Sequence, residues 1–265
     1  MPWANLEDNF NMYYDVDDFT DPWKQPEAVI LHHGNSKSSR FWYGWVPLLA
    51  RHYKVVRLDA RGFGQSTVPP PGYQWSVSGF ARDLKLLLDY LKLSRVHVVG
   101  ETMGGTIAMQ FAYEYPERLQ SLTVCSSPFR FTDSYYREGS QQREKRGGLA
   151  WVRETMRRRL DPSQVAPAFV EWYANEMAKT SQRVPPETLR TLAGNDLSDI
   201  LRQIRVPTLI LSAENRPGYS PDYVREMQQL IPNSELVVFQ GVSGFVQHSH
   251  PERCVEALLA FLGKL

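Results

Sequence analysis

The sequence predicts an α/β fold built on a mostly parallel sheet with helices on both faces. Three observations carry this. Short apolar runs recur along the 265 residues, they are continuous rather than alternating, and amphipathic stretches separate them. Continuous apolar runs suit strands covered on both faces, and strand–helix alternation suits a parallel sheet.

The strand candidates, in order, are AVILH (28–32), KVVRL (54–58), VHVVG (96–100), LTVCS (122–126), TLILS (208–212) and ELVVF (235–239). NMYYDV near the start reads as an added antiparallel edge strand. Helices are expected over 41–51, 76–92, 103–115, 220–230 and 251–263. The fourth has a clear start signal, with Ser220 as N-cap and Pro221 at the first helical position. From about Phe129 to Ile204 the alternation stops, and helical patterns replace strands: GGLAWVRETMRRRL, VAPAFVEWYANEMAKT, PETLRTLAG and LSDILRQI. We expect a core of residues 1–128 and 205–265 with a helical lid, or cap, over 129–204. Arginines and lysines outnumber acids over 137–159, which suits either a solvated helix face or a positive rim for a carboxylate-bearing ligand.

Composition narrows the function classes. Hydrophobic residues at 42% and charged residues at 22% are ordinary for a globular protein. A formal net charge of +1 gives no general argument for nucleic acid or membrane surfaces. Cys125 and Cys254 show neither metal-ligand spacing nor a disulfide framework, so no metal and no cofactor is expected. The start, MPWANLEDNF, is acidic and lacks an apolar signal region, and no run approaches the roughly 18 residues of a membrane span. A cytoplasmic protein with a small-molecule substrate is expected; its oligomeric state is not legible.

Three motifs follow predicted strands. LHHGNSKSSRFW (31–42) comes first, RLDARGFGQS (57–66) second, and GETMGG (100–105) third. Together, in this order and spacing, they resemble the α/β-hydrolase superfamily, and in particular its lid-bearing enol-lactonases and C–C bond hydrolases. The closing PERCVEALLAFL helix fits as well, so the resemblance covers nearly the whole chain. It implies an α/β-hydrolase fold with a nucleophile elbow at GETMGG, placing Thr102 where the nucleophile stands. It also implies an oxyanion hole from the backbone N–H groups of Met103 and of Asn35 in the HGN loop. The same HGN is similar to haloalkane dehalogenases, but their elbow aspartate and following tryptophan are here Thr102 and Met103.

Thr102 does not have the family's usual helpers. The family acid falls on Arg216 in SAENRPGYSP, and the family histidine, counted back from Pro251, falls on Gly244. Asp222 is a nearby alternative for the acid, although the helix-start signal assigns it to a first helical turn. His248 and His250 suit a polar loop and helix start, with His248 able to turn inward. Glu101, beneath the turn, and His33 are further candidates for proton handling. The expected function is an enzyme acting on an ester, a lactone or a C–C bond of a small carbonyl compound by an atypical mechanism. Arg216 would suit an anionic substrate. The alternatives are a non-catalytic pseudo-hydrolase that binds a small ligand, and a cofactor-free lyase or isomerase on the same scaffold.

Overall fold

The computed structural model describes residues 3–7, 9–217 and 219–265. In chain order the elements begin β1 (Trp3–Glu7), β2 (Phe10–Asp17), β3 (Ala28–His32), α1 (Val46–Leu49), β4 (Lys54–Leu58), α2 (Val77–Tyr90), β5 (Val96–Glu101), α3 (Met103–Glu114) and β6 (Leu119–Cys125). Then come α4 (Asp133–Arg146), α5 (Gly148–Glu154), α6 (Pro167–Ala178), α7 (Val184–Leu192) and α8 (Ser198–Leu201). The chain ends with β7 (Thr208–Asn215), α9 (Pro221–Leu230), β8 (Ser234–Ser243), α10 (Val246–Ser249) and α11 (Pro251–Leu262).

The eight strands form one sheet in the order β1-β2-β4-β3-β5-β6-β7-β8. Pairing is parallel from β4 through β8, and antiparallel at β1–β2 and β2–β4. The apolar runs of β3 and β5 are wholly buried, because each face of the sheet carries its own apolar layer. Phe41 joins a third cluster with Val152, Leu160, Tyr173 and Met177, which fixes helices α5 and α6 to the loop after β3. The helices between β6 and β7 all lie within residues 129–204, and no described helix is long and apolar enough to cross a membrane.

Two expectations are corrected. NMYYDV is not the edge: β2 is flanked by β4 and by Trp3–Glu7, which is the edge strand and is too short and polar to announce itself. The helix expected over 41–51 is a 3-10 turn over Ser39–Trp42 followed by the single turn α1. Its apolar spacing arises because Phe41, Trp42, Trp45 and Leu49 are all buried from successive turns rather than one helix face.

Candidate active site

The elbow starts from glycines that nothing else could replace. A Cβ on Gly100 would strike the backbone of Gly104 and Gly105, and one on Gly104 would strike the carbonyl oxygens of His32 and His33. Helix α3 therefore presses against β3 and β5. At the tip, Thr102 has φ 47° and ψ −118°, a conformation that a β-branched residue resists. The surroundings hold it there. Its N–H donates to the Cys125 carbonyl at 3.0 Å, and its own carbonyl accepts from the N–H groups of Gly105 and Thr106, both at 3.1 Å.

The loop after β3 faces this tip. Gly34 lies so close to the Thr102 hydroxyl that a Cβ would overlap it. Asn35 donates its side-chain amide to Thr188 Oγ1 at 2.7 Å and to the Pro185 carbonyl at 3.3 Å, which ties the loop to α7. The Met103 N–H, first in its helix, has no intrahelical acceptor. Thr102, Asn35 and Met103 line one cavity. The second motif is scaffolding: Asp59 accepts the N–H groups of Ser39 at 2.6 Å and Gln65 at 2.8 Å, and Arg61 pairs with Asp83 at 2.5 Å.

Neither early histidine is poised for proton transfer. His33 donates from Nδ1 to the Gly34 carbonyl at 2.7 Å and accepts the Ala60 N–H on Nε2 at 2.9 Å. Burial pushes it down to about 4, and pushes His32 to about 3. Both rings are neutral struts at pH 7.

Beneath the elbow lies a buried ionic cluster. Lys37 Nζ is 2.5 Å from Glu101 Oε2 and 2.9 Å from His248 Nε2. The Glu101 carboxylate also accepts Gln247 Nε2 at 2.8 Å and the Gly34 N–H at 3.1 Å, and His248 Nε2 lies 2.8 Å from it. Burial pushes Lys37 down to about 8 against the pull of Glu101. Burial alone would raise Glu101, but His248 and Lys37 hold it well below the usual carboxylate range. His248 itself is lowered by burial, opposed by Glu101, among the rings of Phe41, Trp42 and Tyr173. It sits in α10, inside the protein, rather than in a polar loop.

The cavity measures about 140 Å³, enough for a compact organic molecule. The strand ends and the HGN loop form one wall; Tyr135, Trp151, Met177 and Leu189 of the intervening helices form the other. Its charge is one-sided: Lys37, Arg158, Arg159 and Arg216 line it, and among the described residues no carboxylate does. Arg216 is 7% exposed, stacks on the Tyr219 ring at 3.9 Å, and has no partner for Nε or Nη1 among the described residues. Arg159 donates to Thr155 and lies over Trp151 at 4.6 Å. Arg143, also over Trp151, is buried with none of its three nitrogens partnered among the described residues. The basic stretch 137–159 is therefore not simply a solvated face, since two of its arginines turn inward.

The remaining sequence candidates fall in different places. Gly244 has φ 78°, and a Cβ there would run into the Arg159 carbonyl; its N–H donates to the Asn215 carbonyl at 3.2 Å. Phe245, not Gly244, reaches the cavity. Asp222 lies in the first turn of α9 and is exposed. Thr102, Asn35, Met103 and Arg216 converge; Gly244 and His248 lie outside the lining. Lys37 was not singled out from sequence. Its one signal is a lysine three residues past Gly34, in a loop otherwise built from small polar residues.

Comparison with known proteins agrees with this architecture. A family model described as alpha/beta hydrolase fold matches residues 27–251. The 2-hydroxy-6-oxo-2,4-heptadienoate hydrolase of Pseudomonas putida F1 is 29% identical over 235 residues, 83% of each chain. A 2-hydroxy-6-oxononadienedioate/2-hydroxy-6-oxononatrienedioate hydrolase of Pseudomonas putida is 28% identical over 262 residues, 89% of this chain and 87% of the relative. The solved enol-lactonase of Burkholderia xenovorans LB400 superposes with a TM-score of 0.91 at 20% identity, over 99% of this chain and 100% of that one, a likeness of fold. With an eight-stranded sheet, a glycine-flanked elbow and a family match across most of its length, the chain belongs to the α/β-hydrolase fold family.

Proposed function

We propose that the protein is a hydrolase of a small anionic carbonyl compound, an ester, a lactone or a C–C bond beside a ketone, with Thr102 as the attacking hydroxyl. One observation carries the reading: Thr102 is held at φ 47° on the cavity wall, a strained conformation for a β-branched residue. The N–H groups of Asn35 and Met103 serve as oxyanion donors in this reading, each worth about 100- to 1,000-fold in rate. Arg216, with two buried nitrogens unpartnered among the described residues, favours a carboxylate on the ligand. The names of the Pseudomonas relatives, hydrolases of oxo-dienoates, agree with such a substrate.

A second reading, a binder without turnover, is favoured by the Arg159 backbone standing where a side chain on Gly244 would begin. Turnover of activated aryl esters and small lactones, beside Thr102→Ala, separates the two. Activity well above buffer that vanishes in the variant supports the hydrolase. Equal background rates in both proteins would leave the binder.

A further inference from the structure

We propose that the Lys37 amine is the proton acceptor for the Thr102 hydroxyl, with Glu101 as the carboxylate that holds it and compensates its charge; this rests on the reading of Thr102 as nucleophile. A working nucleophile needs a base, and the base needs a group that orients it. Among the described residues no imidazole lines the cavity. Lys37 does, in the loop that abuts the Thr102 hydroxyl through Gly34, and its N–H donates to the Gly34 carbonyl at 3.3 Å. Its orienting group is built into the elbow: Glu101 precedes Thr102 in the chain and meets Lys37 Nζ at 2.5 Å. Unrelated hydrolases use a lysine beside a serine in the same way.

Buried ion pairs stabilise little relative to apolar packing of equal volume, so a Lys–Glu–His set with almost no exposure calls for a role. The groups facing Lys37 also suit a base. Glu101 favours the ammonium, whereas burial, Arg159 and Arg216 favour the free amine, and the pair of effects brings Lys37 to about 8. His248 at 2.9 Å and the rings of Phe41, Tyr173 and Phe245 complete its surroundings.

The step balances without any further reagent. The neutral amine takes the Oγ proton as the Oγ–carbon bond forms and the carbonyl electrons move onto oxygen. The ammonium, beside Glu101, then gives that proton to the leaving group as its bond to carbon breaks. Water repeats the sequence, its proton passing through Lys37 to Thr102 Oγ as the acyl group departs. Glu101 and His248 are positioning residues and stay outside the reacting atoms.

Diisopropyl fluorophosphate tests this without a known substrate: Oγ–P forms, P–F breaks, fluoride leaves, and the proton goes to the base. Wild type should be labelled at Thr102, by peptide mass, at a rate that rises through about pH 8. Lys37→Met should slow labelling by about 100- to 10,000-fold, the range for a general base, and so should Lys37→Arg, whose guanidinium does not deprotonate. The double variant Lys37→Met with Glu101→Gln strands no charge and serves as a folded control that must be equally slow. Labelling of the Lys37 variants at the wild-type rate overturns the inference and leaves the Thr102 reading standing. Wild type unlabelled at Thr102 even in alkaline buffer overturns both.

Discussion

Adding a single methyl group at Gly244 probes the closure of the position where the family histidine falls. At φ 78° an L-residue is strained by about 1–2 kcal/mol. The new Cβ would also meet the Arg159 carbonyl, and overpacking of that kind costs about 1–3 kcal/mol more. Gly241 supplies the control: its φ is 71°, yet nothing lies within 4 Å of its Cβ position. Unfolded-state entropy changes equally in both variants and cancels in the comparison. Gly244→Ala should therefore lose about 1–3 kcal/mol more than Gly241→Ala in urea unfolding, with a fall in Tm larger by several degrees. Equal losses would mean that the Arg159 segment yields easily. A histidine could then be restored at 244, and the argument that its place is closed would fail.

Two further outcomes follow from buried charge. Burial lowers Arg143 to about 10 and leaves all three of its nitrogens unpartnered among the described residues, so Arg143→Met should raise stability by about 1–3 kcal/mol in thermal unfolding; a loss would show that its contact with Trp151 outweighs the desolvation. His33 is lowered to about 4 by burial, so below its ordinary 6.5 the unfolded chain binds a proton that the folded one refuses. Stability should fall as the pH drops from 6.5 towards 4, by nominally about 3 kcal/mol from this residue, and His33→Gln should flatten that slope relative to wild type. Parallel slopes in the two proteins would contradict the assignment of His33 as a neutral strut.

Much of the fold was legible because burial on both faces leaves a mark in sequence. The runs 28–32 and 96–100 lie within β3 and β5, and the Ser220–Pro221 start of α9 is where the capping signal placed it. Helix α4 was not legible. Its buried face is made of Ser140, Arg143 and the half-buried Tyr136, so no apolar period betrays it. The site divides in the same way. The elbow glycines are demanded by backbone contacts at that point of the chain, and a motif records such contacts directly. The Lys37–Glu101–His248 cluster joins residues up to 211 positions apart, and only the folded sheet brings them together. Arg159 likewise reaches the cavity from a stretch whose composition suited solvent.

Nucleophilic attack by Thr102 is tested most directly by capture of its acyl adduct. Wild type and Thr102→Ala would be mixed with an activated aryl ester bearing a carboxylate, quenched in acid within one turnover, and digested for peptide mass. Wild type should carry an acyl group on the peptide that contains Thr102, with a matching burst of phenolate, and the variant should show neither. Ester turnover equal in both proteins, with no acyl group on that peptide, would contradict attack by Thr102.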